Sequence, residues 1–502
     1  MLGYWQTNDR YQEFVLKTLK EIAVSDPESL LEYKDAISKM LIFNTDPLEK
    51  VITPLYSPIG RRAEVQPEIF RSLVLMDHMQ IPLDKWTEKL KNNKVLRTIA
   101  GFTLLNLPKT SSYYDFINRV YDLDERPAVR GKKLKPRKKL GKGEKLPPKN
   151  PGVVAKIVGK IIDDEPKFIK GINRRKERCL QKIFAEVSVA RSHELGLIPD
   201  SVNASGDGTC IPTGASHFGT KTCKCNEQGI YKCDCPRKFS DPNATWGWDS
   251  HNELWYYGYT GYFISTYNKH LKVDLPLYLR LVEASRHDSV SAVFALAEFR
   301  DLYPNLHINT FISDSASDNY ATYELLDHWN INAVIALNPK NKGNFKYPPA
   351  LRIDDNGVPI CPGGHKMIYA GFCGKDRCRN KWRCPRVLGK AEPCSACSDC
   401  SPSAYGRVIY TKPDWDLRLF TRIPRGSSAW KAMMKQRTAA ERVNNRVLNH
   451  YGVEDSKTRG KKRISFSVTL AAINVHLDAQ LKHLTSNKLF DFYDLFDLPK
   501  TA

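Results

Sequence analysis

Residues 307–339, HINTFISDSASDNYATYELLDHWNINAVIALNP, constrain the fold more than any other stretch. The β-branched and aromatic run INTFI stops at Ser313-Asp314, a helical pattern NYATYELLDHW follows, and a second apolar run, INAVIALNP, closes the unit. Strand, helix, strand in that order predicts parallel pairing within one sheet. Upstream, SVNASGDGTCI reads as a short strand ending in Asp207-Gly208, ELWYYGYTGYFIST (253–266) and LPLYLRLVEAS (275–285) as the next two strands, and SVSAVFALAEFRDL (289–302) as a helix. Together they predict an α/β domain with a mixed five-stranded sheet flanked by helices, antiparallel first and parallel later.

A chain of 502 residues is too long for one ordinary core, so further domains are expected. Residues 1–125 read as an all-helical domain: PEIFRSLVLMDHMQ places Ile69, Phe70, Leu73, Val74 and Met76 at helical spacing, and Leu83, Trp86, Leu90 and Leu96 repeat the pattern. In PKTSSYYDFINRVYDL, Thr110 and Ser111 are candidate N-caps. Residues 126–199 form a basic linker and a helical segment. Within the linker Lys132, Lys133, Lys135, Arg137, Lys138 and Lys139 would lie along phosphates, or else merely solvate a connector. The α/β domain takes residues 200–342 and 403–495, interrupted by a Cys-rich insertion at 343–402.

Lys and Arg number 77 against 55 Asp and Glu, a net charge of +22, which points to a polyanionic partner with nucleic acid first. No run of 18 apolar residues is present and the N-terminal stretch has no signal-peptide pattern, so a cytosolic protein without membrane contact is expected. In that compartment thiols stay reduced, and the 13 cysteines need an explanation other than disulfides.

Asp207 and Asp314 each follow the apolar part of a strand, where ligands collect in open α/β sheets. A third acid, Glu441, lies in a polar helical segment with Arg437 and Asn445 on the same face. Converging carboxylates repel unless cations neutralise them, and hard divalent ions such as Mg²⁺ or Mn²⁺ suit oxygen ligands. Singly, each Asp could equally be a turn former or helix cap, and Glu441 a solvated partner of Arg437. Asp318 reads as the cap of the helix that follows it.

At these residues the chain resembles the DDE transposases of bacterial insertion sequences. The resemblance rests on DGT at Asp207, on SDSASDNYATYELL at Asp314 followed by INAVIALNP, and on the R-x-x-x-E pair Arg437 and Glu441. VEASRHDSVSAV, and SPIGRRAEVQPEIFRSLVLM through GFTLLNLPKTSSYYDF, extend it over most of the chain. Met434 and Leu448 depart from the fuller signature, which has Tyr and Lys there. The resemblance implies an RNase H-like catalytic domain and a helical N-terminal domain that binds DNA. It implies two catalytic Mg²⁺ or Mn²⁺ on Asp207, Asp314 and Glu441, with Arg437 orienting Glu441 or meeting the scissile phosphate. Such a protein would cleave phosphodiesters at element ends, transfer the 3′ ends to double-stranded target DNA, and act as a homodimer. The alternatives are a non-catalytic zinc-containing DNA-binding protein and a metal-dependent nuclease without strand transfer.

Cysteines cluster twice. CKCNEQGIYKCDC supplies Cys223, Cys225, Cys233 and Cys235, enough to close a tetrahedral Zn²⁺ site. Cys361, His365, Cys373, Cys378, Cys384, Cys394, Cys397 and Cys400 could make one or two more, with the pairing open. One to three structural Zn²⁺ per chain are therefore expected. Cys179 and Cys210 read as ordinary buried thiols.

Overall fold

The computed structural model describes residues 1–121, 126–131, 151–175, 177–250, 252–339, 346–374, 376–392, 394 and 400–500. Lys132, Lys133, Lys135, Arg137, Lys138, Lys139 and Cys397 lie outside the described residues. In chain order the strands are β1 (Val129–Arg130), β2 (Ser201–Pro212), β3 (Thr220–Lys221), β4 (Arg237–Lys238), β5 (Thr245–Asp249) and β6 (Leu254–Asn268). They continue as β7 (Val273–Glu283), β8 (His307–Ser313), β9 (Asn332–Ile335), β10 (Ile368–Cys373), β11 (Arg379–Arg383) and β12 (Val408–Thr411).

The long apolar runs pair as expected into a mixed sheet. β2 is antiparallel to β6, which is antiparallel to β7, while β8 is parallel to β2 and β9 parallel to β8. The sheet has six strands, one more than the five expected. β6 outruns β7, and its first residues, Leu254 to Gly258, pair instead with β5. TWGWD supplies this extra strand, and Gly247 leaves room for its cross-strand neighbour. A Cβ there would stand 2.6 Å from the ring of Tyr256, its cross-strand partner.

Helix Asp288–Leu302 packs against the sheet and is buried through most of its length. Helix Thr438–Asn445 packs against β2, β6 and β7. The longest helix, Lys461–Ser486, has 26 residues and is buried on nearly every side, as a helix apolar all round must be. It packs on β7 and also on the N-terminal helices Lys34–Ile42 and Gln66–His78, so that one continuous apolar core runs from Trp5 to Phe496. Polar contacts fix its rotation. Asn474 Nδ2 donates to Asp77 Oδ2 at 3.0 Å, and His476 Nε2 donates to the carbonyl of Pro276 in β7 at 2.7 Å. Burial pushes His476 down to about 4, so the ring is neutral near pH 7 and accepts from Ser192 Oγ at Nδ1.

Two capping expectations fail. Helix Thr110–Val120 starts at Thr110 itself, with Lys109 in the cap position and no side-chain cap bond. Helix Tyr320–His328 is capped by Asn319, whose Oδ1 accepts from Ala321 N at 3.1 Å. Asp318 instead is fully buried, gripped by Arg418 Nη2 at 2.7 Å and Nε at 2.9 Å, and it accepts from the hydroxyl of Tyr323 and the backbone N–H of Asn338. That buried ion pair ties the strand–helix–strand unit to the chain that leads into helix Thr438–Asn445.

β10, β11 and β12 form a separate antiparallel sheet over a small core of Val358, Cys361, Met367 and Trp382. No helix among the described residues is long and apolar enough to cross a membrane.

Candidate functional site

The parallel pairing of β2 and β8 ends at Ser205 and Ile312, so Asp207 and Asp314 stand two residues beyond on adjacent chains, at one level. Asp314 closes the turn after its strand, its Oδ1 accepting from Ala316 N at 3.0 Å. Asp207 faces helix Thr438–Asn445, and its Oδ2 accepts from Asn444 Nδ2 at 3.0 Å. Glu441 lies one turn before Asn444 and is half exposed, with Arg437 Nη2 at 2.5 Å from its Oε1. Three of the expected acids and the expected arginine are thus brought to one region. Asn444, not Asn445, is the amide that turns inward; Asn445 bonds Asn449 at 2.6 Å.

A fourth acid belongs to the cluster. Asp288, the first residue of helix Asp288–Leu302, sits so close to β2 that a Cβ on Gly208 would come within 2.6 Å of its Oδ1. A side chain at the glycine of DGT would displace the Asp288 carboxylate from this position. The charges feel one another. Burial, then Asp314, push the Asp207 carboxyl up to about 7, with Asp288 and Glu441 adding and Arg437 opposing. Asp288 is pushed up to about 6 by burial and by Asp314, against His287. Two buried polar atoms here have no partner: Asn444 Oδ1 and the hydroxyl of Tyr262, whose cross-strand neighbour is Gly208. Burial and Asp288, Asp207 and Asp314 hold the Tyr262 phenol protonated.

The carboxylates are close enough to shift one another's titration without converging on a point. Among the described residues, the one group of three or more His, Cys, Asp or Glu with all ligand atoms within 4.8 Å of one another is Cys223, Cys225, Cys233 and Cys235. Cys223 and Cys233 sulfurs are 3.4 Å apart and those of Cys225 and Cys235 3.7 Å. Thiolates on one tetrahedral Zn²⁺ stand about 3.8 Å apart, from a Zn–S bond of about 2.3 Å. The donor set fits zinc. The β3–β4 pair closes the base of the loop, and Lys221 Nζ holds its tip through the carbonyl of Tyr231 at 2.7 Å. The Cys225 backbone N–H and the neighbouring thiols bring Cys223 down to about 7.

The second set of cysteines is not gathered in this way among the described residues. Cys361 is buried and Cys394 lies beside it across Gly363, whereas Cys373, at the end of β10, is exposed. Cys378, Cys384 and Cys400 are half-buried, and His365 uses its carbonyl to accept from Cys361 N at 2.9 Å. Cys179 and Cys210 are half-buried thiols pushed up to about 11 by burial.

Sequence reading missed Asp288, Asn444 and Tyr262. Asn444 had a usable signal, since i+3 from Glu441 is the next residue on one helix face. Asp288 had none, because an acid in the first turn of a helix is ordinary dipole chemistry.

No protein-family model matches this chain, and no curated protein matches its sequence.

Proposed function

We propose that the chain is a DNA transposase of the DDE type, acting on DNA in the bacterial cytosol. The observation that carries the reading is the meeting of Asp207, Asp314 and the Arg437–Glu441 helix where the parallel pairing of β2 with β8 stops, Asp207 within β2 and Asp314 just past β8. A sheet running β7, β6, β2, β8, β9, with its first three strands antiparallel and the last two parallel to β2, suits an RNase H-like catalytic domain.

The donor set fits a hard cation: oxygen ligands only, a buried carboxyl crowded by others, and an unpartnered amide oxygen beside it. Asp207, Asp314 and Glu441 would hold the two Mg²⁺ or Mn²⁺ ions. Bound there, the ions supply a water or 3′-hydroxyl ionised near neutral pH and stabilise the leaving oxygen. Asn444 orients Asp207 by donating to its Oδ2, and Arg437 keeps Glu441 in place or meets the scissile phosphate. The phosphoryl group passes directly from one oxygen to another, so no covalent enzyme–DNA intermediate is needed. Joining two element ends calls for two copies of the chain, and Cys223, Cys225, Cys233 and Cys235 would hold a structural Zn²⁺.

One observation favours a second reading, a zinc-containing DNA-binding protein without catalysis: the thiols are gathered and the carboxylates are not. Cleavage separates the two. Duplex DNA from the regions flanking the coding sequence should be cut with Mg²⁺ or Mn²⁺. Asp207→Asn, Asp314→Asn and Glu441→Gln should each lose about 4 kcal/mol of transition-state stabilisation, roughly a thousandfold in rate. All three should still bind that DNA. Near-normal cutting by Asp314→Asn would sink the mechanism, and ends cut without strand joining would leave a nuclease.

A further inference from the structure

A cleft of about 1960 Å³ opens between the N-terminal helices and the segment that precedes the sheet. Its walls come from residues 50–69, 107–120, 173–186 and 301–304. Nine Lys or Arg line it against four Asp or Glu, an excess of five. Two of the four acids are already paired, Glu186 with Lys50 at 2.7 Å and Asp301 with Arg178 at 2.5 Å. Arg61, Arg62, Lys109, Arg174 and Lys182 are exposed and have no ion-pair partner among the described residues. Helix Thr110–Val120 runs along the wall, with Ser111 and Ser112 of its first turn and Arg119 of its last on the lining.

Confining so many like charges in one concave space costs repulsion, which a bound polyanion converts to attraction. The recess favours a strand over a plane. A lipid surface meets protruding cations, whereas a phosphodiester backbone can enter a groove and release its counterions there. Asp301 and Leu302 on the cleft wall end the helix that begins with Asp288 at the carboxylates. At about 1.5 Å per residue the two sites stand roughly 20 Å apart.

We infer that this cleft binds the phosphodiester backbone of DNA, away from the carboxylates and without divalent metal. The inference deepens the transposase reading and shares its substrate, but not its chemistry.

The test measures the affinity of the full chain for a random-sequence 30-base-pair duplex across a salt series, with no divalent metal added. Arg61→Gln, Arg62→Gln, Arg174→Gln and Lys182→Gln together should weaken binding at least about tenfold near physiological salt. They should also flatten the slope of log K against log salt by about 3 to 4. The charge-keeping set Arg61→Lys, Arg62→Lys and Arg174→Lys should retain the slope, which separates lost charge from a damaged fold. Removing four exposed cations elsewhere, Lys17, Lys20, Lys85 and Lys91, should change it much less.

Equal losses in the two neutralised sets would overturn the inference, because net charge alone would then explain them. So would a slope unchanged in the cleft variant while phosphatidylserine vesicles are released by it, since the occupant would then be a lipid surface. Inorganic phosphate at millimolar concentration should compete only weakly. Full displacement by it would make the cleft a small-anion site and overturn the backbone reading. Wild-type protein that binds through the cleft yet never cuts DNA would leave this inference standing and remove the catalytic one.

Discussion

The thiol knuckle and the carboxylate cluster solve the same problem, holding ligands for a cation, in opposite ways. Four cysteines between 223 and 235 come together on one loop, with sulfurs as near as 3.4 Å. Neutral thiols can approach one another without electrostatic cost, so a short stretch of chain suffices. The acids come from positions 207, 288, 314 and 441, and only the sheet with its two packed helices brings them near. Burial first, and then repulsion from Asp314, raise Asp207 to about 7 and Asp288 to about 6. A soft site can be prepared locally, whereas a hard one must be imposed by the whole fold.

The strongest test of that contrast is Asp318→Ala. It strands Arg418 in the interior, and breaking a buried pair of this kind costs about 3–5 kcal/mol. Urea unfolding should register the loss while zinc content per chain stays unchanged, because the knuckle does not depend on that strut. A loss under about 1 kcal/mol, or zinc lost in parallel, would break the contrast.

A smaller effect is expected from Cys223→Ser with Cys225→Ser. About one Zn²⁺ per chain should disappear by metal analysis, and proteolysis should open the loop between β3 and β4. Mn²⁺ affinity at the carboxylates should not move. Were it to fall, the two regions would be coupled.

The smallest effect concerns pH. A carboxyl raised above its ordinary value stabilises the fold most below about pH 4, and that contribution is lost as pH rises through about 7. In divalent-free buffer at pH 8, Asp207→Asn should therefore raise the melting temperature by about a few degrees, and at pH 4 the two proteins should coincide. Asp288→Asn should shift less, its carboxyl being raised only to about 6. A less stable Asp207→Asn at pH 8 would mean that the ionised carboxyl is welcome in its surroundings.

The strand–helix–strand unit at 307–335 was legible because uninterrupted apolar runs bounded by polar turns admit few other readings. Asp314 was legible at the end of its apolar run, whereas the strand expected to end at Asp207 runs on to Pro212, held by its pairing with β6. β5 was not legible: its fitness as a strand lies in Tyr256, which fills the space a side chain at Gly247 would take. Asp318 was misread because capping is the default for an acid before a helix, and its true partner stands 100 residues away. Asn444 and Asp288 enter the site through packing between elements, which local patterns do not encode. Nor does any local pattern reveal that residues 34–78 share a core with residues 461–486.

That shared core has a consequence for the newborn chain. Helix Lys461–Ser486 leaves the ribosome about 400 residues after the N-terminal helices it covers. At translation rates of about 5–20 residues per second, Leu73, Val74 and their neighbours wait roughly 20 to 80 s for their lid. During that interval they present an oily surface to chaperones, and helices Lys34–Ile42 and Gln66–His78 settle only once residues 461–486 have been made.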